Sequence, residues 1–509
     1  MLSRITGFAR ELVWAALVGP SRLSDIFIFC YTIPNLLRRF FGEGTFASAF
    51  VPVLSELERE KGADAARRFA SRVLGVQGLI TGAFTVLAGG GAFAAALLSP
   101  PGSDARLYGA YLGVMAPYAV FICAAALLGA ALNTRGVFFL PPTVQVIMNL
   151  TWIGFTFVAA WVTGIRWGLF VLGGALVAAC AFGAWLLWRK AAAEGFRITP
   201  AFRGPAEGLG KFFSKYFLTI FGVAAFQLNV FMDRVMAQFL VAEDGALTVL
   251  YQGERMMQYP IGVLAVAIGT AALAKMSAWA HRRDRFALYY HRAMGLSFFL
   301  SLLAAGVFGL LSTEAVDLAL NWGAFRHAAS MDALARASRV LAFYAAGYPA
   351  YFALNVLTRA FYSMQDMRTP VQVGGWMVVA NFALNLLFLR FTPLAEGGLA
   401  LSSALCAWVN AGALLWVLSR RRPDIRPLAG LAAALRPLAA ALPAAAALLA
   451  VRALVGGGPA GGIWERAAAF ALPALAFAAV FAGIARALGV RDAVALIPAR
   501  FFRFGKTRH

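Results

Sequence analysis

Long apolar segments recur along the whole chain, separated by short segments that carry most of its charges. Most are about 20 residues long or longer, the length that a helix needs to cross a bilayer. Pro34 and Pro260 fall inside two of them and predict kinks, because proline removes a backbone donor. The pattern predicts an all-α polytopic membrane protein with about 14 transmembrane helices. The segments lie near 2–19, 24–51, 73–98, 107–132, 138–163, 167–188, 211–240, 246–273, 287–312, 338–362, 370–391, 397–418, 432–454 and 464–488.

The composition excludes a soluble globular enzyme. Of the 509 residues, 61% are hydrophobic and 13% are charged, whereas a soluble domain has about a quarter charged residues. The net charge of +22 does not indicate a nucleic-acid partner, because most Lys and Arg lie between the apolar segments. Alternate loops are basic, and the positive-inside rule places them, with both termini, in the cytoplasm. These loops are 59–72, 189–215, 275–285, 420–426 and 486–508.

An internal repeat divides the chain. Three short motifs recur at offsets of about 230 residues, or six predicted helices, so the copies are parallel, as in transporters that bind substrate between two halves. We predict two pseudo-symmetric six-helix lobes plus two C-terminal helices. The paired motifs are 44–47 with 269–272, 117–118 with 349–350, and 142–144 with 369–371. The predicted domains are an N-lobe at 1–190, a C-lobe at 208–419, helices 13 and 14 at 429–490, and a cytoplasmic tail at 491–509.

Charged residues inside the apolar segments are the candidate site, since an arginine at mid-bilayer costs about 2.5–3.5 kcal/mol on insertion. Arg10, Arg38 and Arg255 come from corresponding parts of the two halves, and nearby acids are too few to pair them all. We predict that they line one cationic cavity, which suits a phosphate-bearing anion. Five further residues are assigned to substrate binding, namely Arg4, Asp25, Arg39, Gln252 and Gln258.

Structural roles remain open for some of these residues. Arg39 lies four residues before Glu43, which is the spacing of an intrahelical ion pair. Arg4 is near the start of the chain, in a position from which a side chain snorkels to the interface. Glu254 is adjacent to Arg255 and carries the charge to neutralise it.

A second polar set lies in predicted helices 7, 11 and 12. Asp233, Asn381, Asn385 and Ser402, with Ser403, offer carboxylate, amide and hydroxyl oxygens, which suit a small hard cation such as sodium. The alternative is that Asp233 pairs with its neighbour Arg234 or accepts hydrogen bonds from the amides. No other cofactor is indicated.

Motifs in both halves carry a family resemblance. Residues 3–10, the block PNLLRR at 34–39, ERMMQYPIGVL at 254–264 and the segment 361–371 resemble the MurJ (MviN) family of lipid II flippases. That family belongs to the multidrug/oligosaccharidyl-lipid/polysaccharide exporter superfamily, and the resemblance covers essentially the whole chain.

The resemblance implies roles for particular residues. Arg10, Arg38 and Arg255 match the family's essential cavity arginines, and Arg4 and Asp25 match functional positions. It also implies that the last two helices line a groove for the polyprenyl tail, although their small residues equally suit tight packing alone. Some members bind sodium between helices 7, 11 and 12.

Three departures from the family pattern change these expectations. Thr32 stands where some relatives carry lysine, so a less cationic cavity is expected. Asn385 replaces a carboxylate of some relatives, which removes charge from the sodium site. The short N-terminus leads us to expect a first helix without its cytoplasmic end.

The implied activity is transport rather than enzymatic catalysis. A monomeric carrier in the bacterial inner membrane would move lipid II, a polyprenyl-diphosphate lipid, from the inner to the outer leaflet by alternating access. Flipping of another polyprenyl-diphosphate glycan and ion-coupled export of cationic drugs are the alternatives. A membrane enzyme would need a nucleophile with a base, or a metal cluster, within the spans, and the sequence presents neither.

Overall fold

The computed structural model describes residues 2–41, 44–204, 207–328, 332–425, 427–456 and 461–490. Within these ranges every regular element is a helix and no strand is present. The predicted all-α fold is therefore confirmed. Glu43, the proposed ion-pair partner of Arg39, and the predicted tail 491–509 lie outside the described residues.

The described residues form two compact units. One holds residues 2–248 and 322–328, and the other holds 249–321 and 332–490. The helices of the first 240 residues are α1 (Leu2–Leu17), α2 (Arg22–Phe41), α3 (Gly44–Phe84), α4 (Gly91–Leu98), α5 (Asp104–Met115), α6 (Tyr118–Thr134), α7 (Leu140–Val158), α8 (Ile165–Ala193) and α9 (Leu209–Phe239). The chain continues with α10 (Ala246–Pro260), α11 (Val266–Ala278), α12 (Arg283–Leu310), α13 (Ser312–Leu320), α14 (Gly323–His327), α15 (Ala333–Ala346), α16 (Tyr348–Ser363), α17 (Arg368–Phe391), α18 (Glu396–Arg421), α19 (Pro427–Val455) and α20 (Ile463–Ala487).

Several helices are irregular where the sequence removes a hydrogen bond or a side chain. α10 ends at Pro260 and passes into a π-helical turn, Ile261–Ala265. The predicted kink at this proline stays a prediction. α2 continues as helix past Pro34 to Phe41. α3 is kinked at Gly62, whose φ of 83° is strained for residues with a Cβ.

The length and hydropathy of the helices support a multi-pass membrane protein. In the part of the chain that the structure describes, ten helical stretches are long and apolar enough to cross a membrane, or up to 11 with one bent pair counted as a span. One of the ten, Arg22–Leu98, has 77 residues, whereas about 20 suffice for one crossing. α1 has 16 residues and is shorter than a typical span. The predicted count of about 14 stays a prediction.

The first unit is organised around α2. This helix packs against α5, α6 and α9, while α1 packs against α7 and α3 against α6. Trp14 of α1 stacks on Phe27 of α2 with ring centroids 5.3 Å apart, and both rings meet the edge of Trp152 on α7. These buried aromatic rings fix α1 and α2 beside α7, next to the predicted site residues.

The second unit is organised around α16, which packs against α11, α12 and α18. The last two helices pack against each other, and they also contact α12 and α13. Phe481 of α20 stacks on Phe299 of α12 at 4.8 Å, and a Cβ at Gly306 would lie 2.2 Å from Phe477. Close packing on α12 is thus observed, while a groove for a polyprenyl tail stays a prediction.

The grouping by contact differs from the predicted lobes at two helices, α9 and α14. α14 lies within the predicted C-lobe, but it packs against α1 and belongs to the first compact unit. The sequence analysis assigns α9 to the C-lobe, but α9 packs against α2 and α3 and belongs to the first compact unit. The predicted lobes follow an internal repeat, whereas the compact units follow packing. The lobe boundaries therefore stay a prediction.

Candidate functional site

Arg10 lies on α1 and is buried, with 8% of its surface exposed. Its guanidinium donates to the carboxylate of the adjacent Glu11 and to Oδ1 of Asn149 on α7, the latter at 3.3 Å. It also lies over the ring of Trp152, 4.7 Å from the centroid. The pair with Glu11 was not anticipated, because adjacent helical residues point in different directions. The long arginine side chain bends far enough to make the contact.

Arg38 and Arg39 lie in the last turn of α2, where cations are favoured by the helix dipole. Nε of Arg38 donates to Oδ1 of Asn35 at 2.8 Å. Arg39 donates to Oε1 of Gln227 on α9. Both acceptors are neutral amides, and these hydrogen bonds orient the two guanidinium groups.

Asp25 is buried in the first turn of α2, with 2% of its surface exposed. Its Oδ1 accepts hydrogen bonds from the backbone N–H of Thr248 at 2.8 Å and from Oγ1 of Thr248 at 2.6 Å. Thr248 lies in the first turn of α10. Asp25 therefore caps the N-terminus of α10, where a negative charge is stabilised. Direct contact of Asp25 with substrate stays a prediction.

The polar face of α10 is formed by Gln252, Arg255 and Gln258. Nη2 of Arg255 donates to the hydroxyl of Tyr251 at 3.1 Å, and Nη1 donates to Oε1 of Gln258 at 3.3 Å. The amide of Gln258 in turn donates to Glu254 at 2.6 Å. Arg255 and Gln258 are thus joined by hydrogen bonds to each other and to Tyr251 and Glu254.

Gln252 is the least exposed member of this face, at 1%. Among the described residues, neither atom of its side-chain amide has a hydrogen-bond partner. A buried polar group in this state costs about 1–3 kcal/mol, so the side-chain amide of Gln252 does not stabilise the fold. Its role in substrate binding stays a prediction.

A cation lies beside Thr32, the position at which some relatives carry lysine. Arg234, which is 3% exposed on α9, donates from Nη1 to Oγ1 of Thr32 at 3.1 Å. From the sequence, Arg234 was weighed only as a partner of its neighbour Asp233. Its position inside an apolar segment is unusual for a basic residue, but no spacing in the sequence indicates that it lies beside Thr32.

The predicted sodium ligands are only partly brought together. Asn381 and Asn385 of α17 and Ser402 of α18 are fully buried and hydrogen-bonded to one another. The amide of Asn381 also donates to Ser403 at 3.1 Å. Asp233 lies on α9 in the other unit and is 5% exposed. Within their own unit the neutral ligands satisfy each other, and a cation site stays a prediction.

The structure places the substrate-binding candidates in both units. Arg10, Asp25, Arg38 and Arg39 are in the first, and the polar face of α10 is in the second. Arg4 is exposed in the first turn of α1, a position that fits snorkelling. That the arginines line one cavity stays a prediction.

Comparisons with known proteins bear on the family of this chain. Residues 14–457 match the model of the family described as "Lipid II flippase MurJ". A probable lipid II flippase MurJ of Haemophilus influenzae is 30% identical over 436 residues, covering 81% of this chain and 82% of that protein. The lipid II flippase MurJ of Burkholderia cenocepacia is 29% identical over 448 residues, covering 84% and 83%.

Solved structures show the same fold. A lipid II flippase MurJ in an inward closed conformation superposes with a TM-score of 0.74 at 22% identity, covering 94% of this chain and 96% of that one. An inward-facing MATE family multidrug transporter of the MOP superfamily gives 0.65 at 13% identity, covering 82% and 94%. The family model spans most of the sequence and the fold agrees with it, so this chain belongs to the lipid II flippase MurJ family.

Proposed function

We propose that this protein flips lipid II from the inner to the outer leaflet of the bacterial inner membrane by alternating access. The family model covering residues 14–457 supports the substrate, and the many apolar helices support the location. The protein acts as a carrier rather than an enzyme, functions as a monomer, and has both termini in the cytoplasm. The last two helices hold the polyprenyl tail in this proposal.

The polar face of α10 is the observation that carries the proposal. Arg255 and the buried amide of Gln252 lie on a helix that is otherwise apolar enough to span a membrane. A guanidinium binds phosphate through two parallel hydrogen bonds, and a substrate hydroxyl or amide would satisfy Gln252. In the proposal, Arg10 and Arg38 bind the diphosphate together with Arg255.

The buried pair between Arg10 and Glu11 fits this role. Burial of an isolated guanidinium is costly, and a carboxylate partner offsets much of that cost. Glu11 would hold the guanidinium of Arg10, which is always charged, in a fixed orientation in the absence of substrate. A diphosphate bound nearby would then interact with a cation that is already in place.

The membrane potential gives the transport a direction. With the cytoplasm negative, outward movement of an anion releases about 2.3 kcal/mol per charge per 100 mV. The proposal also includes a sodium ion held by Asn381, Asn385 and Ser402, with Asp233 as the charged ligand. A dependence of flipping on external sodium that disappears in Asp233→Asn would support this part.

The direct test measures the leaflet accessibility of lipid II in cells depleted of their own flippase and supplied with this protein. Arg255→Ala should reduce flipping at least about 30-fold, because loss of a buried charged contact costs about 2–5 kcal/mol. Arg282→Ala, at an exposed position of the same unit, is the matched control and should retain activity. A folded Arg255→Ala protein with full activity would contradict the proposal.

Gln252→Leu separates binding from packing. If the amide serves only the fold, its replacement should leave flipping unchanged. The proposal instead expects a protein with a higher melting temperature, because the buried unsatisfied group is removed, and with reduced flipping. Thermal unfolding and the accessibility assay, performed on the same variant, measure the two effects.

A further inference from the structure

An arginine-lined cavity lies in the first unit, and none of its lining residues is assigned to transport. Its volume is about 460 Å³, and its walls are the middle of α3 and the segment 197–203 that follows α8. Five arginines contribute to the lining, and no carboxylate does. These arginines are Arg67, Arg68, Arg72, Arg197 and Arg203.

Hydrogen bonds between α3 and the backbone of residues 199–201 fix the cavity wall. The backbone N–H of Ala201 donates to the carbonyl of Ser71 at 3.0 Å, and that of Thr199 donates to Oγ of Ser71 at 3.3 Å. Nη1 of Arg72 donates to the carbonyl of Ala201 at 3.1 Å. A Cβ at Gly75 would lie 2.2 Å from that carbonyl oxygen, so glycine permits the close approach. The segment is therefore held against α3 before any ligand binds.

The charge of this cavity is largely uncompensated. Arg67 pairs with Asp64 at 2.9 Å in an exposed ion pair, which contributes little binding energy. Arg197 lies over the ring of Trp188, 5.8 Å from its centroid. Arg68 and Arg203 are exposed and form no ion pair within the described ranges. Clustered like charges repel one another, and an anion bound between them would relieve that repulsion.

Apolar residues next to the cavity indicate a membrane interface. Beyond Arg72, α3 continues into an apolar stretch in which Leu79 is 56% exposed and Ile80 is 42% exposed. At 1.5 Å per residue, Leu79 is about 10 Å along the helix from Arg72. Phe202, beside Arg203, is 58% exposed, and aromatic side chains are common at the level of the lipid headgroups.

We propose that this cavity binds the phosphate headgroup of an anionic phospholipid of the adjacent leaflet. The bidentate geometry of arginine suits phosphate, and basic pockets beside membrane helices are suited to anionic headgroups. The exposed apolar residues favour a lipid over a free phosphate ion, because they offer the acyl chains a surface. Both segments that form the cavity are basic loops with a predicted cytoplasmic location. This lipid site is additional to the proposed transport site.

The test titrates the detergent-solubilised full-length protein with three probes below their micelle concentrations. The probes are short-chain phosphatidylglycerol, short-chain phosphatidylcholine and inorganic pyrophosphate, and the readout is the shift in melting temperature. Phosphatidylglycerol should bind at least about tenfold more tightly than the other two. The triple variant Arg68→Gln, Arg197→Gln and Arg203→Gln should bind it about 100-fold more weakly, since each interfacial arginine contributes about a fivefold factor.

The matched control is Arg282→Gln, Arg283→Gln and Arg285→Gln, which removes the same charge from exposed positions near the start of α12. Its affinity for phosphatidylglycerol should stay within about twofold of that of the unmodified protein, because these residues lie outside the cavity. Equal losses of affinity in the two triple variants would show that net charge alone causes the effect, and this result would overturn the proposal. Pyrophosphate binding as tight as that of phosphatidylglycerol would assign the cavity to a free phosphate and overturn the choice of a lipid.

Discussion

Removal of the Asp25 carboxylate should loosen the start of the helix that carries Arg255. Asp25 is 2% exposed, and its Oδ1 accepts both the backbone N–H and the hydroxyl of Thr248. That hydroxyl also donates to Oγ of Ser24 at 2.9 Å. In Asp25→Ala, the N–H of Thr248 would lose this acceptor at a buried helix terminus.

The expected cost follows from these contacts. Loss of a helix N-cap costs about 0.5–2 kcal/mol, and each buried polar group left unsatisfied costs about 1–3 kcal/mol. The two values cannot simply be added, because both include the loss of the acceptor for the Thr248 N–H. Asp25→Ala should therefore lower the free energy of unfolding by about 2–4 kcal/mol. Asp25→Asn keeps an acceptor oxygen and loses only the charge at the helix N-terminus, and it should cost about 0.3–1 kcal/mol.

The measurements are thermal unfolding in nanodiscs and hydrogen exchange of the backbone amides at 246–250. Asp25→Ala should lower the melting temperature and speed exchange at the first turn of α10, with a smaller effect for Asp25→Asn. Asp104→Ala is the matched control, because Asp104 is also in the first turn of a helix but is half-exposed and paired with Arg22. An Asp25→Ala protein with unchanged exchange at 246–250 would refute the capping argument.

Two further predictions concern ion pairs in the second unit. Burial raises the pKa of Asp366, but hydrogen bonds from Thr369 and Arg421 outweigh it and place the pKa below its usual value of 3.8. The stability that Asp366 contributes should therefore be lost as the pH falls below about 4, and Asp366→Asn should flatten the dependence of melting temperature on pH between about 5 and 3. Arg336 and Glu396 form a buried pair, with Nε to Oε1 at 2.7 Å, so Glu396→Leu alone should cost about 3–5 kcal/mol. The double variant with Arg336→Met should recover most of that loss, and a double variant no more stable than Glu396→Leu would contradict this account.

Much of the fold follows from local patterns in the sequence. Apolar length predicted membrane helices, and four-residue spacing placed Asn381 and Asn385 on one face of α17. Their contacts with Ser402 and Ser403 are also accessible to sequence reasoning, because a short connection between two apolar helices makes them antiparallel neighbours. In the structure α17 and α18 do pack together, and the four side chains are hydrogen-bonded.

The contacts that sequence reasoning missed join residues far apart in the chain. Asp25 and Thr248 are separated by 223 residues, and Thr32 and Arg234 by 202. Neither pair shows a periodicity, because each depends on how α2 packs against a distant helix. The family resemblance also led to too low an expectation of positive charge near Thr32, because it registered the lysine missing at that position but not Arg234 from another helix.

Three arginines of the first unit donate hydrogen bonds to neutral acceptors. Asn35, Gln227 and Thr32 accept hydrogen bonds from Arg38, Arg39 and Arg234, and all three acceptors are neutral. A carboxylate in each position would lower the cost of burial further but would also cancel the charge. The neutral acceptors in these three contacts hold the guanidinium groups in place, whereas Arg10 is held by a carboxylate, that of Glu11. The first unit therefore uses both kinds of partner to keep cations within its helices.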